Sequence, residues 1–340
     1  MEQERLSSLI GSAFWGYSER QIERVKREAR SFVHYTTTEA ALSIINKQEI
    51  WLRNSGVMND YSEMAHGEAC LRYCLFENAD IADRSRRILD SVQEGLHDRA
   101  AQWFVQSSQM RRAFTYLLSI SEHGPVNVAP GVVDEESEFG RLSMWRAYGA
   151  RGGVALIFGQ DALMNPRDVL NVYSSPVFYG NPDAFAVEYN RMLTFIDSNL
   201  SEIKQVDPEL VWENLWRMIH FTSLTCKHPG FAEEREWRIT YSADPANEHL
   251  DDQEFNARSK IKREFRIING IPQRIYKIPF IDNPEEGLVG ITLPAILRSA
   301  VIGPTQYPIV VLDALYVALR RAGFDEGQVR VVVSRIPLRT

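Results

Sequence analysis

The spacing of apolar positions changes several times along the chain, and each change marks an element. Residues 1 to about 30 are polar with helical spacing, and "SFVHYTT" has the apolar and aromatic bias of a short strand. In "TTTEAALSIINKQEIWLRN", Thr36 and Glu39 stand three apart ahead of an apolar run, the spacing of a capping box at a helix start. The strand "IWLRN" follows. "MNDYSEMAHGEACLRYCLF" turns through a polar loop into another helix, and helical spacing continues to about residue 112. "FTYLLSISE" reads as a buried strand and residues 123–140, rich in Gly, Pro and acid, as a loop placed to act as a lid. "LSMWRAYGA" predicts a short helix, "RGG" a tight turn and "VALIFG" a strand buried on both faces. After strand signal in "VLNVYSSPVFYG", two helices are predicted over 182–224. The acidic strand "EEREWRITYS" then leads to a hairpin around Asn269-Gly270 and a closing strand, helix and strand.

This mixture of hairpins and crossovers predicts an α+β protein with one mixed, largely antiparallel central sheet and flanking helices. The expected organisation is a helical extension over 1–30 and a single α+β domain over 31–340, with the helices of 182–224 as an insertion. At 340 residues and 44% hydrophobic, the chain is long enough to bury a sizeable core. A net charge of -7 does not favour a nucleic acid as the main partner, although a local basic groove is compatible with it. Three cysteines fit a reducing compartment, and the absence of an apolar leader or spanning run makes the cytoplasm the expected location, with no membrane partner. No internal repeat, low-complexity tract or heptad run is found, so there is no array or filament to propose.

The acidic stretch carries the first candidate chemistry. Alternation on a strand sends Glu234, Glu236 and Arg238 to one face, with the two carboxylates about 7 Å apart, and Arg235 and Trp237 to the other. Such a row is either an ion-pair ladder or a site. His34 and Thr36 share a face of the first strand. Asp60 and Glu63 have capping spacing, while Asn59 beside them has no capping role. Trp145 and Tyr148 share a helix face as core or as a stacking platform, next to Gly149, Gly152 and Gly153. The glycines match neither the P-loop nor the dinucleotide fingerprint. His66 and Cys74 would lie about 12 Å apart along a helix, too far for one ion, so Cys70 and Cys74 are read as packing residues. No nucleophile elbow or zinc-protease motif is present.

Taken in order, "HYTTTEAALSIINKQEIWLRN", "MNDYSE", "YLLSISE", "LSMWRAYGARGGVALIF", "KHPGFAEEREWRI", "VIGP" and "SRIPLR" resemble a prokaryotic family known as domain of unknown function 2971, over residues 31 to 339. The opening strand, helix and strand also resemble the DNA-targeting ADP-ribosyltransferase toxins, in which a strand His and a nearby Thr face NAD. Glu234-x-Glu236 resembles the late Glu pair of ADP-ribosyltransferases. That resemblance implies NAD as substrate, Glu236 on the ribose 2'-hydroxyl, Glu234 orienting an acceptor or water, and His34, Thr36, Asn59 and Asp60 around the cofactor. It also implies Trp145 or Tyr148 stacked on a ring and Arg238 on Glu or pyrophosphate. No bound metal is needed and no macromolecular acceptor is identified. The implied activity is an ADP-ribosyltransferase or NAD glycohydrolase, of the kind found in toxins and anti-phage effectors.

Two other readings stay open. One is a non-catalytic module that binds a nucleotide or peptide, with the acidic row as a ladder. The other is a nuclease-like enzyme in which Asp60, Glu63, Glu234 and Glu236 gather a divalent cation.

Overall fold

The computed structural model describes residues 2–57, 61–125, 134–149, 152–160, 170–268 and 270–337. The chain forms two compact units. One comprises Met1–Arg24, Gly56–Ala113 and Ser175–Ala232, and the other Val25–Ser55, Phe114–Ser174 and Glu233–Thr340.

The first unit is helical. Asn181 and Asp207 cap the helices Pro182–Ser198 and Pro208–Leu224, each followed by a proline whose fixed φ suits the first turn. These helices, predicted over 182–224, share one core with Tyr61–Arg72, Ala79–Val92, Leu96–Gln106 and the start of Glu2–Arg27, through residues such as Ile10, Leu71, Leu89, Phe104, Leu193 and Leu215. Cys70, Cys74 and Cys226 lie in this core as free thiols, in keeping with the packing role read for the first two. Burial pushes the Cys74 thiol up to about 12, so it is not ionised near neutral pH.

His220 is buried in the same unit. Burial brings it down to about 3, and the Arg111 guanidinium acts in the same direction. Its folded-state value therefore lies below the unfolded one, near 6.5, and the unfolded chain takes up the proton first. Stability is lost as the pH falls from about 6.5 towards about 3. In His220→Phe this loss becomes shallower, which urea titrations at pH 7 and pH 5 measure.

The second unit is built on a ten-stranded sheet. Its strands are β1 (Arg30–Thr37), β2 (Glu49–Asn54), β3 (Thr115–Pro125), β4 (Gly153–Phe158), β5 (Val172–Pro176), β8 (Glu236–Ser242), β9 (Lys262–Ile268), β10 (Ile271–Pro279), β11 (Leu297–Ile302) and β12 (Arg330–Val333). The short strands β6 (Phe178–Tyr179) and β7 (Cys226–Lys227) pair with each other in the helical unit. The order β12-β11-β4-β1-β3-β2-β10-β9 is antiparallel apart from the β11–β12 pair, which the helix Pro308–Arg321 connects. β9 and β10 pair antiparallel as the predicted hairpin, with Gly270 at φ 79°, while Asn269 lies outside the described residues. One cap differs from the sequence reading. β1 runs on through Thr37, so it is Thr37, not Thr36, whose hydroxyl accepts the Ala40 N–H and starts the helix Thr38–Lys47.

β3 organises the sheet. Ser121 pairs with Val33 of β1 on one edge and with Glu236 of β8 on the other, while Leu117 pairs with Arg53 of β2 and Thr240 of β8. Both β1 and β2 therefore lie along the same edge of β3. They leave a split at Leu118 to Ile120, where neither strand pairs with it.

The helix Leu142–Tyr148 packs Met144 and Trp145 against Val33, Tyr35, Ala155, Ile157 and Val301. Trp145 is 1% exposed, makes an edge contact with Tyr35, and donates its indole N–H to the Phe139 carbonyl at 2.8 Å. The glycines around it accommodate this ring. A Cβ on Gly140 would come within 2.6 Å of the indole, and one on Gly303 within 2.7 Å. Gly140 also has φ 68°, a left-handed conformation that favours glycine. Gly140→Ala is expected to destabilise the fold by about 1–3 kcal/mol, read from its urea midpoint against wild type.

Candidate functional site

The acidic stretch folds differently from the simple alternation. Residues Pro229–Glu234 form a 3₁₀ turn and Arg235 takes a left-handed φ of 44°, so β8 begins only at Glu236. Within the strand, Glu236 and Arg238 share the face of Ser121 and Ser119, and Trp237 takes the other face. Glu234 is outside that row. The expected line Glu234–Glu236–Arg238 is thus shortened to a pair, because the turn at Arg235 breaks the period before the strand starts.

The pair is close and buried. Arg238 Nε donates to Glu236 Oε1 at 2.9 Å and a terminal nitrogen to Oε2 at 3.2 Å, with both side chains 5% exposed. A fork of two charge-assisted bonds fixes the carboxylate plane.

An arginine that carried no signal in the sequence reading sets where this strand starts. Arg141 donates to the carbonyls of Glu233 at 2.7 Å, Glu234 at 2.8 Å and Glu122 at 2.6 Å, which ties the turn before β8 to β3. Its own backbone N–H donates to the Tyr35 hydroxyl at 2.9 Å. Glu136 lies between two guanidiniums, 2.5 Å from Arg141 Nε and 2.9 Å from Arg235. Glu122 completes the frame by accepting the Trp237 indole N–H at 2.9 Å. These partners lie 92 and 93 residues from Arg141 in sequence for Glu233 and Glu234, and most are carbonyls, so no local pattern could have revealed them.

His123, at the end of β3, is also buried. Its Nε2 meets Ser137 Oγ at 3.0 Å, while Nδ1 has no hydrogen-bond partner among the described residues. Burial is the main cause that holds it below its ordinary value, against the pull of Glu136 and Asp134.

His34 sits at the split. Its Nδ1 is 3.1 Å from the Ser119 carbonyl, which can only accept, so Nδ1 carries the proton and the neutral ring presents Nε2 as an acceptor. Burial holds His34 below its ordinary value, opposed by that hydrogen bond, and keeps the ring neutral near pH 7. Ser119 is also the cross-strand partner of Arg238. His34 and the Glu236–Arg238 pair therefore flank the same residue of β3, with their strands about 10 Å apart. They do not share a sheet face. Pairing in register puts His34 and Thr36 with Phe32 and Trp237, opposite Glu236.

The other sequence candidates fall in different places. Trp145 is sealed in the core and is not available to stack on a ligand, whereas Tyr148, at the end of the same helix, is 38% exposed. Asn59 and Asp60 lie outside the described residues, as do residues 126–133 of the predicted lid; of the rest of 123–140, β3 reaches Pro125 and a short helix spans Glu135–Phe139. Among the described residues no group of three or more His, Cys, Asp or Glu side chains could hold a metal ion, and no helix is long and apolar enough to cross a membrane.

Fold and site together describe a mixed α+β protein whose sheet buries a carboxylate–guanidinium pair beside a split along β3. Residues 144–239 match the family model described as Protein of unknown function (DUF2971), the family read from the ordered strings. That segment holds the Trp145 helix, β4 and the start of β8. No curated protein and no solved structure matches the chain.

Proposed function

We propose that the protein consumes NAD, as an ADP-ribosyltransferase-like enzyme or an NAD glycohydrolase, with Glu236 at the chemistry. The observation that carries this reading is the position of Glu236 at the first residue of β8, its carboxylate fixed by the Arg238 fork. Cleavage of the nicotinamide glycosidic bond builds positive charge on the ribose, and a fixed carboxylate that accepts the 2'-hydroxyl lowers that barrier. The fork from Arg238 meets both oxygens of Glu236 and fixes the carboxylate to which the ribose 2'-hydroxyl would donate. The neutral His34 presents Nε2 on the opposite face of the sheet, so it is not placed to meet the part of the nucleotide that Glu236 acts on. In this reading Arg238 also meets the pyrophosphate, Glu234 orients water or an acceptor, and Tyr148, 38% exposed, stacks on a ring.

One observation favours the non-catalytic reading. Glu236 is 5% exposed and already paired, as a structural ladder would be. Thermal melting tests NAD binding and its dependence on a cation, and nicotinamide release separates the catalytic from the non-catalytic reading. NAD raises the melting temperature equally with and without EDTA if the protein binds NAD without an ion. No shift with NAD removes this reading, and a shift that needs a divalent cation favours the nuclease-like one.

A further inference from the structure

The helical unit holds a cavity of ≈ 270 Å³ that the sheet site does not use. Its wall is largely apolar and aromatic, from Phe178, Phe185, Tyr189, Met192, Phe195 and Phe221. A kink in the first helix borders it. Trp15 leaves helical geometry at φ -113°, ψ 15°, and residues on both sides of it line the space. An apolar cavity of roughly 150 Å³ accepts benzene, so this one has room for a fused ring pair or a medium acyl chain.

Three charged residues are part of the lining. Glu188 binds two guanidiniums, accepting from Arg191 at 2.6 Å and from Arg20 through its other oxygen, and all three residues line the cavity. Their summed charge is +1, and each guanidinium has five N–H donors. The Arg20 and Arg191 side chains are 45% and 61% exposed, so they stand at the opening. Thr222, also in the lining, directs its hydroxyl at the Met218 sulfur at 3.6 Å, a weak acceptor that a ligand oxygen would improve upon.

We infer that this cavity is a binding site for a small monoanion with an apolar body. The body packs among the aromatic side chains, and the anionic end takes N–H donors from Arg20 and Arg191 in competition with Glu188. This site is independent of the NAD reading. A neutral ligand of the same shape gains the apolar contacts without the charge-assisted bonds, so it binds more weakly.

The test is isothermal titration of octanoate and of octanol into the full chain, using wild type, Arg20→Gln/Arg191→Gln and Glu188→Gln. Wild type is expected to bind one octanoate per chain and octanol roughly tenfold more weakly. The double arginine variant brings octanoate down to the octanol level. Glu188→Gln has the opposite effect and tightens octanoate, because the competing carboxylate is gone. Met192→Trp, which fills the cavity, abolishes binding of both while its melting curve stays cooperative. The inference is overturned if octanoate shows no saturable binding, if both ligands bind all variants alike, or if Met192→Trp binds as wild type does.

Discussion

Arg238→Met is expected to lower the unfolding free energy by about 3–5 kcal/mol, the usual cost of removing one partner from a buried ion pair. Glu236, 5% exposed in the wild type, loses in that variant the guanidinium that meets both of its oxygens. Its desolvation is then no longer offset by the fork. Urea denaturation followed by circular dichroism measures the loss. A change under about 1 kcal/mol would mean that the pair behaves as an exposed surface bridge, and β8 would then carry its charges for some reason other than a fixed carboxylate.

Glu236→Gln is expected to reduce nicotinamide release from NAD by at least about 100-fold, in the range seen when one electrostatic stabiliser of a developing charge is removed. Gln keeps the shape and one carbonyl acceptor towards Arg238 but loses the negative charge. NAD affinity should change little, because the charge acts on the ribose only as the glycosidic bond breaks. Binding lost together with turnover would instead place Glu236 in ground-state binding.

Local chemistry made much of this fold legible. The Asn-Gly hairpin, the all-apolar β4 and the two proline-started helices follow from turn preferences, run length and capping within a few residues of each element. Arg235 shows where the pattern fails. A residue at φ 44° between a 3₁₀ turn and a strand shifts the face assignment of everything before it, and the letters E-E-R-E give no warning of that. The Thr36 cap failed in a similar way, since three consecutive threonines offer the same hydroxyl and the length of β1 decides which one is used.

The site was less legible because long-range pairing makes it. His34 and Arg238 are brought to one residue of β3 by the separate pairings of β1 and β8 on its two edges. Arg141 holds the start of β8 through carbonyls far away in sequence. The spacing of Trp145 and Tyr148 correctly puts both on one short helix, yet spacing alone does not tell that the first is core and the second exposed.

The central claim is cleavage of NAD with Glu236 at the chemistry. Chromatography of nicotinamide from NAD incubated with wild type and Glu236→Gln, matched by isothermal titration of NAD into both, tests it most directly. The account predicts release by wild type, with binding kept and release lost in the variant. Equal release by the two proteins, or no NAD binding and no release by wild type, would contradict it.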